Sequence, residues 1–205
     1  MKLRKLSLGS LSLVAGALAL SGVLVVSQCD RHISAGPDQA DDAAVVDTDL
    51  LAFLSLARAH HHEANLDEQA DDVAGAVEAL QRIIDAPKPH AGTAIPEVEE
   101  VLADTYARMA ELRLSRGDAD GAKRDVESGL SHATGPTYFR GHLLEVYGII
   151  EEQRTARLAD AGSPEEAAKA RAHARELLKQ AVDIQESVIA HVLDASAGGD
   201  GGPSR

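Results

Sequence analysis

Shifted by 46 residues, the chain falls on itself. Leu56 lands on Leu102, Ala57 on Ala103, His60 on Tyr106, Ala64 on Ala110, Leu66 on Leu112, Asp72 on Asp118, Gly75-Ala76 on Gly121-Ala122, Leu80 on Val126 and Ile84 on Leu130. A period of this length marks a supersecondary unit that cannot bury its own apolar face and must pack against its neighbours. Within the second copy the unit is legible. Residues three and four apart share a helical face, so Tyr106, Met109 and Ala110 form one stripe and Ala122, Val126 and Leu130 another. Gly117 can take the positive φ that ends a helix, and Asp118 is suited to cap the next. Ala110 and Ala122 let the two backbones approach closely.

Between the two copies, Asp85–Ile95 holds Pro87, Pro89 and Gly92, which break helices, and Pro96 fits the first turn of the helix that follows. A third, longer unit follows downstream. Leu144, Tyr147 and Gly148 repeat the first-helix pattern and Ala174, Leu178 and Ala181 the second, with Gly162-Ser163-Pro164 as turn. The small-to-small spacing is 26 residues here (148 to 174) against 12 before (110 to 122). The excess of 14 amounts to about two helical turns on each arm, which keeps the facing. The expectation is an all-α domain over residues 49–194, with about six helices in three antiparallel hairpins, the last elongated. Alternating-polarity strand patterns are missing.

The pattern from about Leu50 to Leu193 resembles the tetratricopeptide repeat (TPR), with Tyr106, Met109, Ala110, Gly117, Ala122 and Val126 at its signature positions. The eleventh position of the first helix departs from it: a packed aromatic in the family, it is Asp67, Arg113 and Glu151 here. The resemblance implies a binding scaffold, with an inner groove lined by first-helix residues. Carried across, those are Arg58, His61, Asn65 and Glu68, then Asp104, Ala107, Glu111 and Leu114, then His142, Glu145, Ile149 and Glu152. Five acids stand against one arginine, which suits a partner segment bearing Lys or Arg, and His61 and His142 would tune it with pH. The basic clamp of chaperone-binding members is missing.

Upstream, Lys2, Arg4 and Lys5 precede an uncharged run from Leu6 to Gln28, the order of an export signal. Cys29, the only cysteine, closes it. Val26-Ser27-Gln28-Cys29 resembles a bacterial lipoprotein signal, which implies lipidation of Cys29, although Gln28 stands where Gly, Ala or Ser is usual. An uncleaved helical anchor across Leu6–Gln28 and cleavage with release are the other outcomes. Each places the domain on the outer side of the inner membrane, in the cell envelope or periplasm. Residues 30–48, with five aspartates, read as a flexible acidic linker and residues 195–205 as a disordered tail.

The net charge of −13 becomes −16 once the three signal-region cations are removed, which disfavours nucleic acid and anionic membrane surfaces as partners. His60-His61-His62 fall about 100° apart on a helix and cannot share one metal. No phosphate loop, nucleophile elbow or zinc-protease helix is present in the sequence. The expected function is therefore an envelope protein–protein interaction scaffold, neither enzyme nor cofactor binder. The alternatives are an oligomerising spacer and, from a different class, a metal-dependent enzyme.

Overall fold

The computed structural model describes residues 47–90 and 92–198. The signal or anchor at 1–29 with Cys29, most of the linker at 30–48 and the end of the tail lie outside them. The described chain is all helical: α1 (Thr48–Gln69), α2 (Val73–Asp85), α3 (Pro96–Ser115), α4 (Ala119–His132), α5 (Tyr138–Asp160) and α6 (Pro164–Gly198). None of these helices is long and apolar enough to cross a membrane. Two boundaries differ from expectation. Asp47, placed in the linker, caps α1 by accepting from the Asp49 and Leu50 amides at 3.1 and 3.0 Å, and α6 runs on through Gly198 rather than stopping before Ala195.

Three turns of one design join the helices in pairs. After α3, the Gly117 amide donates to the Leu114 carbonyl and the Asp118 amide to that of Arg113, both at 3.0 Å, while Gly117 sits at φ 82°. After α1, Asp71 and Asp72 donate to Glu68 and Asp67; after α5, Gly162 and Ser163 donate to Ala159 and Leu158. This is the paired closure that satisfies the last carbonyls of a helix around one left-handed residue. Asp72 and Asp118 then accept from the Gly75 and Gly121 amides at 2.9 and 2.8 Å, so each aspartate opens the second helix of its pair. The 46-residue period therefore extends to turn geometry. Turns of three residues between helices that pack together fold each pair back antiparallel.

Each second helix buries one stripe. In α2 it is Ala76, Ala79, Leu80 and Ile83, at i, i+3, i+4 and i+7. These join Phe53, Ala57, Ala64, Leu102, Met109 and Leu112 in one core shared by α1, α2 and α3. A second core, shared by α3, α4 and α5, holds Ala103, Ala110, Ala122, Val126, Leu143 and Ile150, and a third joins α5 to α6 through Leu144, Leu177 and Ala181. Thus α3 touches α1, α2, α4 and α5, and α5 touches α3, α4 and α6.

The long pair keeps the facing that the spacing implied. Gly148 lies 12 residues before the end of α5 and Ala110 lies 5 before the end of α3; Ala174 lies 10 residues into α6 and Ala122 lies 3 into α4. Both arms are thus seven residues longer. A side chain on Gly148 would put its Cβ 2.7 Å from Leu178 Cγ, so only glycine permits this approach. The eleventh positions meet the partner helix, but with charge in place of an aromatic ring. Arg113 donates to Asp125 of α4 at 2.6 Å, and Glu151, 1% exposed, faces Arg154 at 3.2 Å and His173 of α6 at 3.8 Å. Leu112, Leu114 and Ile150, which neighbour these positions in the sequence, are buried, whereas Leu66 stays exposed.

Candidate functional site

The residues carried over to the groove form a line of polar contacts running across α1, α3 and α5. At one end, His61 Nε2 of α1 lies 3.2 Å from Thr105 Oγ1 of α3 and 4.0 Å from Asp104. The Thr105 hydroxyl donates its proton to the Val101 carbonyl at 2.7 Å, so it can only accept from the ring. That assigns the neutral His61 proton to Nε2. Burial pushes the His61 pKa below its ordinary value, with Arg108 acting the same way and Asp104 opposing.

In the middle, Arg108 of α3 reaches back to α1, donating to Asn65 Oδ1 and, at 2.9 Å, to Glu68. Arg108 was not among the residues expected from the sequence, yet it neutralises part of the acidic set. Its signal was available: Asp104, Arg108 and Glu111 recur at i, i+4 and i+7, one face of one helix.

At the far end, Glu111 of α3 lies 3.6 Å from His142 Nε2 of α5, and His142 Nδ1 lies 3.9 Å from Glu145. The Tyr138 ring stacks on His142 with centroids 6.1 Å apart. Burial raises the Glu111 pKa, which His142 and Arg108 counteract and Asp104 and Glu145 reinforce. Among the described residues, Asp104, Glu111 and Glu145 have no Lys or Arg within salt-bridge reach, unlike Glu68.

Four expected lining residues behave differently. Ala107 and Leu114 are buried in the core between α3, α4 and α5 rather than facing a groove, because α3 is covered on more sides than a terminal helix. Arg58 is exposed and makes no side-chain hydrogen bond or ion pair among the described residues. Glu152 is exposed where α5 meets α6, lining a cleft of about 380 Å3 with Arg171 and Arg175. Exposed Ile149 and Tyr138 leave apolar surface beside Glu145.

His60, His90, His132 and His173 each meet a single carboxylate. His60 meets Glu63 at 3.0 Å, and Glu63 also accepts from Arg82 of α2 at 2.8 Å. His132 meets Glu99 at 2.7 Å and stacks on Tyr106. Among the described residues, no three His, Cys, Asp or Glu side chains converge as a metal site requires. Among the described residues, the line as a whole offers carboxylates, imidazole rings and hydrogen-bond acceptors. No protein-family model matches the chain, and no curated protein matches it either.

Proposed function

We propose that this chain is an exported, membrane-anchored, TPR-like scaffold of the bacterial cell envelope. Its first-helix strip receives a Lys- or Arg-bearing segment of another envelope protein. The observation that carries the reading is the trio Asp104, Glu111 and Glu145, half exposed and, among the described residues, without a Lys or Arg in salt-bridge reach, beside exposed Tyr138 and Ile149. Open acids next to apolar surface suit a helix or extended segment that alternates basic and apolar residues. Export rests on the Lys2-Arg4-Lys5 cluster and the uncharged run after it, and anchoring on Cys29 or on that run.

The test is crosslinking in the native cell with Glu111→Lys and Glu145→Lys introduced together. The partner crosslink is expected to vanish and to return when matching basic residues of the partner are reversed; unchanged crosslinks in the double variant sink the reading. Mass spectrometry of the mature N-terminus reads the acylation of Cys29 in the same preparation.

A second reading, the oligomerising spacer, is favoured by one observation. Leu56 and Leu66 of α1 are 38% and 53% exposed, while Leu102 and Leu112, one period on, are each 5% exposed. The first unit thus presents to solvent the face that the second unit buries against a neighbouring pair.

A further inference from the structure

The chain has 33 acids and 20 lysines and arginines, and among the described residues most of the cations meet a carboxylate or a carbonyl. Arg82, Arg108, Arg113, Arg116, Lys169 and Lys179 each have an acidic partner. Arg58, Arg124, Arg157, Arg171 and Arg175 have none among the described residues, and Arg157 alone of these shares a cleft with a lysine. A cleft of about 410 Å3 between α4 and α5 is lined by Lys123, Arg154 and Arg157. Ile150, Arg154, Arg157 and Leu158 recur at i, i+4, i+7 and i+8, one face of α5, so the cations and an apolar wall reach the cleft together. Ala119, at the start of α4, adds to that wall.

The cations are under-compensated. Arg157 makes no ion pair and no side-chain hydrogen bond among the described residues. Lys123 meets Glu127 at 3.8 Å and neighbours Tyr147, whose ring centre lies 5.8 Å from the ammonium; Tyr147 and Glu127 together raise its pKa. The lining acids are Asp120 and Glu151. Glu151 is committed elsewhere: buried, it is held by Arg154 at 3.2 Å and faces His173 of α6 at 3.8 Å. Its charge holds Arg154 in place, acts on Lys123 only through space, and leaves Arg157 without a close carboxylate.

We propose that this cleft binds a small organic anion, its carboxylate or phosphate between Lys123 and Arg157 and its apolar stem against Ile150 and Leu158. An oxyanion there gains charge-assisted hydrogen bonds from donors that no carboxylate of the protein engages closely. The apolar wall adds burial that free inorganic ions cannot use. The site is separate from the acidic strip, so it stands or falls independently of the scaffold reading.

Calorimetric titration of the full chain at low salt, with hexanoate, inorganic phosphate and 1-hexanol as separate probes, decides the matter. Saturable one-to-one binding is expected for hexanoate, tighter than for inorganic phosphate, which lacks the stem, and none for hexanol; phosphate binding as tightly as hexanoate removes the role of the apolar wall. Lys123→Gln with Arg157→Gln is expected to weaken binding about tenfold. Arg171→Gln with Arg175→Gln, an equal loss of charge in the α5–α6 cleft, leaves it unchanged. Circular dichroism confirms that each variant is folded. The proposal is overturned if neither anion saturates, if hexanol binds as well as hexanoate, or if the two double variants behave alike.

Discussion

At the scale of single residues, His61 is where two opposing effects meet. Asp104 at 4.0 Å favours its protonation, but burial between α1 and α3 disfavours it more, and Arg108 adds to burial. A base whose folded pKa is depressed contributes stability that is fully present above its unfolded value, about 6.5, and is lost as pH falls through the lower folded value. The protonated ring would also approach Arg108, which already serves Asn65 and Glu68. The melting temperature is therefore expected to fall between about pH 7.5 and about pH 5.5, and His61→Gln, which keeps a donor for Thr105, shrinks that fall. An identical loss in the variant would mean that other groups carry the pH dependence. Glu111 acts in the reverse sense: its raised pKa favours the folded state as acid protonates it, and its effect lies in the carboxylate range below that of His61.

At the scale of elements, the three turns share their hydrogen bonds but not their residues. The left-handed position is Gly117 at φ 82°, Gly162 at φ 74° and Asp71 at φ 60°. A Cβ on Gly117 would meet nothing within 4 Å, so the cost of a side chain there is conformational alone. Gly117→Ala is expected to destabilise the fold by about 1 kcal/mol, and Asp71→Gly to stabilise it by about 0.5 kcal/mol. The gain is the smaller because glycine loosens the unfolded chain and because the exposed Asp71–Arg116 pair, 3.4 Å apart, is worth little. Urea denaturation midpoints check both, and a neutral Gly117→Ala would show that the turn does not store the strain. The turns, caps and stripes were legible in the sequence because each depends on residues a few positions apart, as Gly117 and Asp118 do. The line from His61 to Glu145 was only half legible. Which acid meets Arg108, and whether Ala107 or Leu114 faces outward, is decided by helices dozens of residues distant, and one helix's periodicity carries no information about what covers its far side.

At the scale of the whole molecule, the repeat makes equivalent positions unequal. Leu56 and Leu102 are the same residue of the unit, as are Leu66 and Leu112, yet α3 contacts α1, α2, α4 and α5, whereas among the described helices α1 contacts only α2 and α3. The outer face of α1 carries exposed Ala52, Ser55, Leu56, Ala59 and Leu66, with the half-exposed Glu63 among them. Opposite outcomes are expected from one substitution. Leu102→Ala removes a side chain packed in the core of α1, α2 and α3 and should cost about 2–5 kcal/mol, whereas Leu56→Ala should stay within about 0.5 kcal/mol. If the exposed face serves a second copy of the chain, sedimentation equilibrium shows concentration-dependent association that Leu56→Glu with Leu66→Glu abolishes while leaving the helical signal intact. A monomer at every concentration removes the spacer reading, and with it any role for the α1 face in self-assembly.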